Sequence, residues 1–191
     1  MIDLPEKELI AKLIEKNGEA FKIFVEKYQN MVFNTSLNFL GIREDAEEIT
    51  QDVFVEVFKS IPSFRGNSSL KTWVYRIAIT KSLEYQRKAK RKKRFAFLVS
   101  ISGENQDVLD SSIVDHPGID TEDGERADLL FKSMEKLPEN QRIAFTLHNL
   151  DGFSYKEIAE TMDISLSSVE SLIFRSKKKL RKILEQYYES N

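Results

Sequence analysis

Two helix-start signals in close succession constrain this chain more than any other feature. Ser154-Tyr155-Lys156-Glu157 has the form of a capping box, in which a serine hydroxyl and a glutamate carboxylate cap each other's free backbone N–H groups. Ser167-Ser168-Val169-Glu170 has the same form. Ile158, Ala159 and Met162 follow the first signal on one helical face, and Val169, Leu172, Ile173 and Leu180 follow the second. Only Asp163-Ile164-Ser165 is left for a turn. Two short helices so joined make a helix-turn-helix, whose second helix is shaped to enter a DNA major groove. That helix carries Ser171, Arg175, Lys177, Lys178, Lys179, Arg181 and Lys182 but few acids. An ordinary α-hairpin with a solvated basic face would share each feature singly. Together, the caps, turn length and charge favour a DNA-reading helix.

The rest of the chain reads as helix as well. Seven Gly and four Pro in 191 residues leave little room for sheet and turn, and 41% hydrophobic content is enough for a core. The absence of cysteine excludes disulfides and thiolate metal sites. The acid-rich N-terminus is neither a signal peptide nor an anchor, and no long apolar run follows, so a cytoplasmic location is expected. The net charge of −2 conceals blocks. Residues 1–63 hold 7 basic and 12 acidic side chains, 64–94 hold 11 and 1, 95–137 hold 3 and 10, and 138–191 hold 8 and 8. Such segregation suits a polyanion partner for the basic block and a flexible acidic connector, which is expected to cover that block in the free protein.

In chain order, Leu9, Ile10, Leu13 and Ile14 mark a short helix ending near Asn17-Gly18. Phe21, Phe24, Val25, Tyr28, Val32, Phe33, Leu37 and Leu40 mark a longer one, broken at Gly41-Ile42. In the next helix, Ala46, Ile49, Val53 and Val57 form a core face. Asp45, Glu48 and Asp52 share an outer face with Gln51, while Phe54 and Phe58 lie partly off the core stripe. Taken alone, that outer face is a solvated acidic surface. After a polar loop, Ser68 or Ser69 caps a helix with Leu70, Trp73, Val74 and Ile77 inward, and seven of the eight residues 87–94 are basic. Cations beside Phe64, Tyr75 or Tyr85 suit single-stranded nucleic acid. Residues 95–101 either extend the helix or pack back. Residues 102–124 lack periodicity and read as a mobile linker. Ala127, Leu130, Phe131 and Met134 begin a second bundle, continued by a helix with Ile143, Ala144 and Leu147 buried. The expected fold is all-α: two small helical bundles, 1–98 and 125–191, joined by a flexible acidic linker over 99–124, with the helix-turn-helix in the second.

With these motifs in order, the chain resembles the bacterial sigma factors of the extracytoplasmic-function type. DAEEITQDVFVEVF, residues 45–58, is similar to that family's polymerase-binding helix. FRGNSSLKTWVYRIAI, residues 64–79, resembles its promoter-melting segment, and residues 137–182 resemble its fourth region. The resemblance implies a protein without catalytic residues, metal or cofactor that binds core RNA polymerase, through its clamp helices and flap, and directs it to promoter DNA. It assigns Asp45, Glu48, Gln51, Asp52 and Phe54 to the polymerase. The proximal promoter element, read with one strand unpaired, falls to Phe64, Arg65, Asn67, Ser68, Lys71, Trp73, Arg76, Thr80 and Lys81. Arg87, Lys88 and Arg91 would hold the DNA backbone. Glu170, Ser171, Phe174, Arg175 and Lys178 would read the distal element as a duplex. An anti-sigma factor is the expected antagonist, and no direct membrane insertion is implied.

Three positions depart from the family pattern. Thr80 stands where the family often has asparagine, and Glu170 and Leu172 stand where it commonly has basic residues. Glu170 either caps its own helix, the favoured reading, or accepts from a cytosine amino group. The alternative function is a stand-alone helix-turn-helix regulator, and a further one is an adaptor that masks polymerase. Both leave the acidic face or the basic helix without a role. His116 lies in the linker and His148 on a helix without a neighbouring carboxylate at ligand spacing, so no metal site is expected.

Overall fold

In the computed structural model, which describes residues 4–101 and 121–190, eight α-helices and one 3₁₀ turn follow one another, with no strand among the described residues. They are α1 (Glu6–Ile14), α2 (Gly18–Leu40), α3 (Arg43–Ser60), the 3₁₀ turn Ile61–Ser63, α4 (Leu70–Ile101), α5 (Thr121–Met134), α6 (Glu139–Asn149), α7 (Tyr155–Met162) and α8 (Leu166–Ser190). Local chemistry sets most of the ends. The Asn17 side chain accepts from the backbone N–H groups of Glu19 and Ala20 and starts α2. Gly41, at φ 72, closes the same helix in the left-handed conformation that glycine adopts without steric cost. Ser69 caps α4 by accepting from the Thr72 N–H at 3.0 Å.

The start of α8 and the extent of α5 differ from the sequence reading. The capping box at Ser154 and Glu157 forms in both directions. The second box does not: α8 begins earlier, and Ser165 is its cap, accepting from the Ser168 N–H at 3.2 Å. Asp163 takes φ 55, so the chain re-enters helical geometry two residues sooner than the serine pair suggested. Gly124, placed in the linker from sequence, lies within α5. Helix α4 takes the extended alternative and runs through residues 95–101. The expected linker lies mostly outside the described residues, and so does any cover it gives the basic block.

Helices α1 to α3 and the front of α4 enclose Leu9, Leu13, Phe24, Val32, Val53, Val57, Leu70 and Val74, all at most 2% exposed. Each such side chain contributes roughly 1.5–3 kcal/mol by leaving water. Phe54 belongs here too. Expected on a contact surface, it is 8% exposed and meets the Phe24 ring edge-on at 5.8 Å. Phe58 packs on Phe21 but remains 38% exposed. In the second half, Met134, Leu137, Phe145 and Leu180 form a small cluster between α5, α6 and α8. The remaining core spans both halves: Phe39 of α2 and Tyr75, Ile79 and Leu83 of α4 pack with Ile143, Ala144, Leu147, Phe153, Ile158, Val169 and Ile173. The helix-turn-helix is thus seated on the first bundle.

Candidate nucleic-acid interface

The outer face of α3 is assembled as its spacing implied. Glu48, Gln51 and Asp52 are exposed and Asp45 is half-buried. The Tyr85 hydroxyl donates to Asp45 at 2.6 Å, and burial together with that carboxylate pushes the phenol far above its ordinary range. Glu48 and Asp52 share a groove of about 720 Å³ with Lys81, Tyr85, Lys88 and Arg91. Acidic and basic faces therefore adjoin along the α3–α4 seam.

On α4, Trp73, Arg76, Thr80 and Lys81 line one groove of about 540 Å³, with Glu56, Ile77 and Glu84 completing its wall. Trp73 is half-buried and meets Phe64 at 5.1 Å, so loop and helix are joined at an aromatic contact. Lys81 donates to Glu56 at 2.9 Å, which holds the ammonium above its usual range and the carboxyl below its own. Arg65 and Asn67 are exposed and Ser68 is half-buried in the loop before the helix. Tyr75, offered by the sequence as a stacking ring, is instead buried, 4.4 Å from Phe153. Its register on α4 points it at the second bundle. Burial, then the nearby Asp151, raises its phenol to about 12.

Helix α8 turns Val169, Ile173, Ser176 and Leu180 inward. Glu170, Ser171, Phe174, Arg175 and Lys178 are all exposed, and Phe174 is 69% exposed. Ser167, Ser171 and Arg175 line a groove with Asn140, Ile164 and Leu172. Among the described residues no cluster of potential ligands for a metal ion occurs, and no helix is long and apolar enough to cross a membrane. His148 is occupied locally, with Nδ1 2.9 Å from the Phe153 carbonyl oxygen.

Both surfaces lie within stretches of the chain that match known proteins. Residues 24–92 match Sigma-70 region 2 and residues 128–180 match Sigma-70 region 4. The chain is 33% identical to the ECF RNA polymerase sigma-E factor of Haemophilus influenzae over 91% of its own length and 92% of that protein's. It is 30% identical to that of Escherichia coli strain K12, over 91% of both. The chain belongs to the ECF sigma factors. As such it confers promoter-specific initiation on RNA polymerase. Two solved structures share the fold: CnrH, in complex with the cytosolic domain of CnrY, at 22% identity and TM-score 0.65 over 95% of this chain and 97% of that one. The other is Bartonella quintana RpoE, in complex with the anti-sigma factor NepR, at 20% identity and TM-score 0.55 over 86% and 96%.

In this sigma factor the second bundle lies against part of the α4 face. Arg76 Nε donates to the Thr161 carbonyl at 3.0 Å, and its Nη2 donates to that of Glu160, at the C-terminal end of α7 where carbonyls lack helical partners. Lys71 lies 3.9 Å from Glu157 and over the Phe153 ring. Arg87, assigned to the DNA backbone, makes a two-point pair with Glu139 at 2.6 and 2.7 Å. Deeper in, Asn38 donates to Asp151 at 2.7 Å and Thr35 donates at 3.3 Å. Burial still raises the Asp151 carboxyl above its usual range, and these donors offset only part of that. Sequence reading missed these partners. The one available signal was the polar pair Thr35-Ser36 falling on the inward stripe of α2 between Val32 and Phe39, and both residues are buried.

Proposed function

We propose that this ECF sigma factor acts through three surfaces. The outer face of α3, exposed Glu48, Gln51 and Asp52 with half-buried Asp45, meets the clamp helices of core RNA polymerase; Phe54 supports that helix from within. The loop with Phe64, Arg65, Asn67 and Ser68, and the α4 groove with Lys71, Trp73, Arg76, Thr80 and Lys81, take the unpaired strand of the proximal promoter element. The observation that carries this reading is the α4 groove itself. It puts an indole, a guanidinium, a hydroxyl and an ammonium around one space. An extruded base needs that set: a ring to stack on, hydrogen-bonding groups for its edge and cations for the flanking phosphates. Arg87, Lys88 and Arg91 hold phosphates without reading sequence. The exposed face of α8, with Glu170, Ser171, Phe174, Arg175 and Lys178, enters the major groove of the distal element.

The protein has no catalysis of its own in this reading, works in the cytoplasm, and divides into a first unit over 1–98, a linker over 99–124 and a second unit over 125–191. The apolar groove between Leu130, Phe145, Leu180, Leu184 and Tyr188 is the surface left for the polymerase flap. An anti-sigma factor is the expected antagonist, since CnrH and RpoE were each captured with a partner protein. Engaging the strand requires α7 to release Arg76, so the two bundles must part when promoter DNA is bound.

Run-off transcription with bacterial core polymerase on a pooled promoter library tests the assignment. Wild type should give new start sites, and Asp52→Arg should reduce them at least about tenfold, because a like charge at a complementary face costs several kcal/mol. Equal initiation by both proteins would remove α3 from the polymerase contact. No initiation by either, with salt-sensitive duplex binding by the protein alone, would instead fit a stand-alone regulator.

A further inference from the structure

Of the three acids on α8, Glu170, Glu185 and Glu189, only Glu170 lies in its N-terminal turns, where it is exposed and has no partner within the helix. It does not cap its helix, because Ser165 does so and Glu170 makes no hydrogen bond to the Ser167 backbone. It has no ion pair within α8: its neighbours at three and four residues are Leu166, Ser167, Ile173 and Phe174, none of them basic. Its side chain is exposed beside Ser171 and Phe174. A carboxylate so placed is repelled by phosphates, and the favourable partner a duplex offers it is a donor on a base edge.

Resting on the distal-element reading of α8, we infer that Glu170 is a specificity-determining residue that accepts a hydrogen bond from the N4 amino group of a cytosine. In the major groove, guanine presents only acceptors to a carboxylate, and thymine presents an acceptor and a methyl group. Adenine presents an amino donor, but its N7 acceptor lies alongside and repels the second carboxylate oxygen. Cytosine alone offers a donor with no acceptor beside it on the same base. The position in the second turn of α8 fits, since the N-terminal part of a recognition helix reaches base edges.

The test is selection from promoter duplexes randomised across the distal element, using the full chain with core polymerase, for wild type, Glu170→Gln and Glu170→Ala. Wild type should enrich cytosine at one position by between about fivefold and a hundredfold, the range for a good side-chain–base pair. Glu170→Gln should move that position to adenine, which glutamine pairs through N6 and N7. Glu170→Ala should lose preference there and keep it elsewhere. The same motif from all three proteins, with the variants merely binding every sequence more tightly, would overturn the inference and leave α8 as the distal reader. No enriched base anywhere in wild type would overturn that reading and the inference with it.

Discussion

The α4 face and the α8 face are both assigned to promoter DNA, yet they stand in opposite states. On α4, Arg76 and Lys71 are tied to α7 and its preceding turn, and Arg87 to α6. On α8, Phe174, Arg175 and Lys178 face solvent. The difference follows from what each helix packs on. α8 buries one stripe into its own bundle and leaves the opposite stripe free. α4 buries one stripe into the first bundle and a second stripe, Tyr75, Ile79 and Leu83, against the other. A helix apolar on two sides has less surface to give to a ligand unless one partner leaves. The contact between bundles is suited to leaving: Arg142 of α6, over the Phe39 ring, and Thr161 of α7, which receives Arg76, have Nε and Oγ1 buried without hydrogen-bond partners. Each lowers the net gain of docking.

The hardest way to break this contrast is to cut the core that the bundles share. Leu147 is fully buried in it, and Leu147→Ala should cost about 2–5 kcal/mol in urea unfolding. The same variant should expose α4 amides around Tyr75 to hydrogen exchange. Protection unchanged at α4 would mean that the covering is independent of this core. Next in size is Asn38→Ala, which leaves the Asp151 carboxylate half-buried with its nearer donor gone. A loss of about 1–3 kcal/mol is expected, confined to docking and seen as a longer distance between labels on α2 and α6.

Asp151 also gives the contrast a pH dependence. Its native carboxyl titrates above the unfolded value of about 4, so the folded, docked form binds the extra proton. Its contribution is full below that value and is lost as pH rises through the native one. Docking should therefore weaken as pH rises across that interval, and Asp151→Asn should flatten the profile. A profile unchanged by the asparagine would assign the dependence to another group. Smaller still, Glu139→Gln removes an exposed pair with Arg87 and should cost under about 1 kcal/mol, less at high salt. Phe174→Ala should change stability by no more than about 0.5 kcal/mol while weakening distal duplex binding by the holoenzyme. A larger loss of stability would mean that the α8 face is not open.

By itself the sequence determined the helices, most of their ends and the inward stripes. Periodicity at Ala46, Ile49, Val53 and Val57 needs only a helix and a core, and the cap at Ser154 needs only its own third neighbour. It also determined the family, since three motifs in order carry that without coordinates. Tertiary structure decided whatever depends on residues distant in the chain. Phe54 and Tyr75 sit at the margins of their stripes, where burial depends on what packs beside them: Phe24 for one and Phe153 for the other. The choice of Ser165 over Ser167 as cap turned on Asp163 adopting a left-handed backbone, a choice several nearby serines leave open. The pairing of Asn38 with Asp151 joins residues 113 apart in sequence, and no local period encodes which polar side chains will meet across a closed interface.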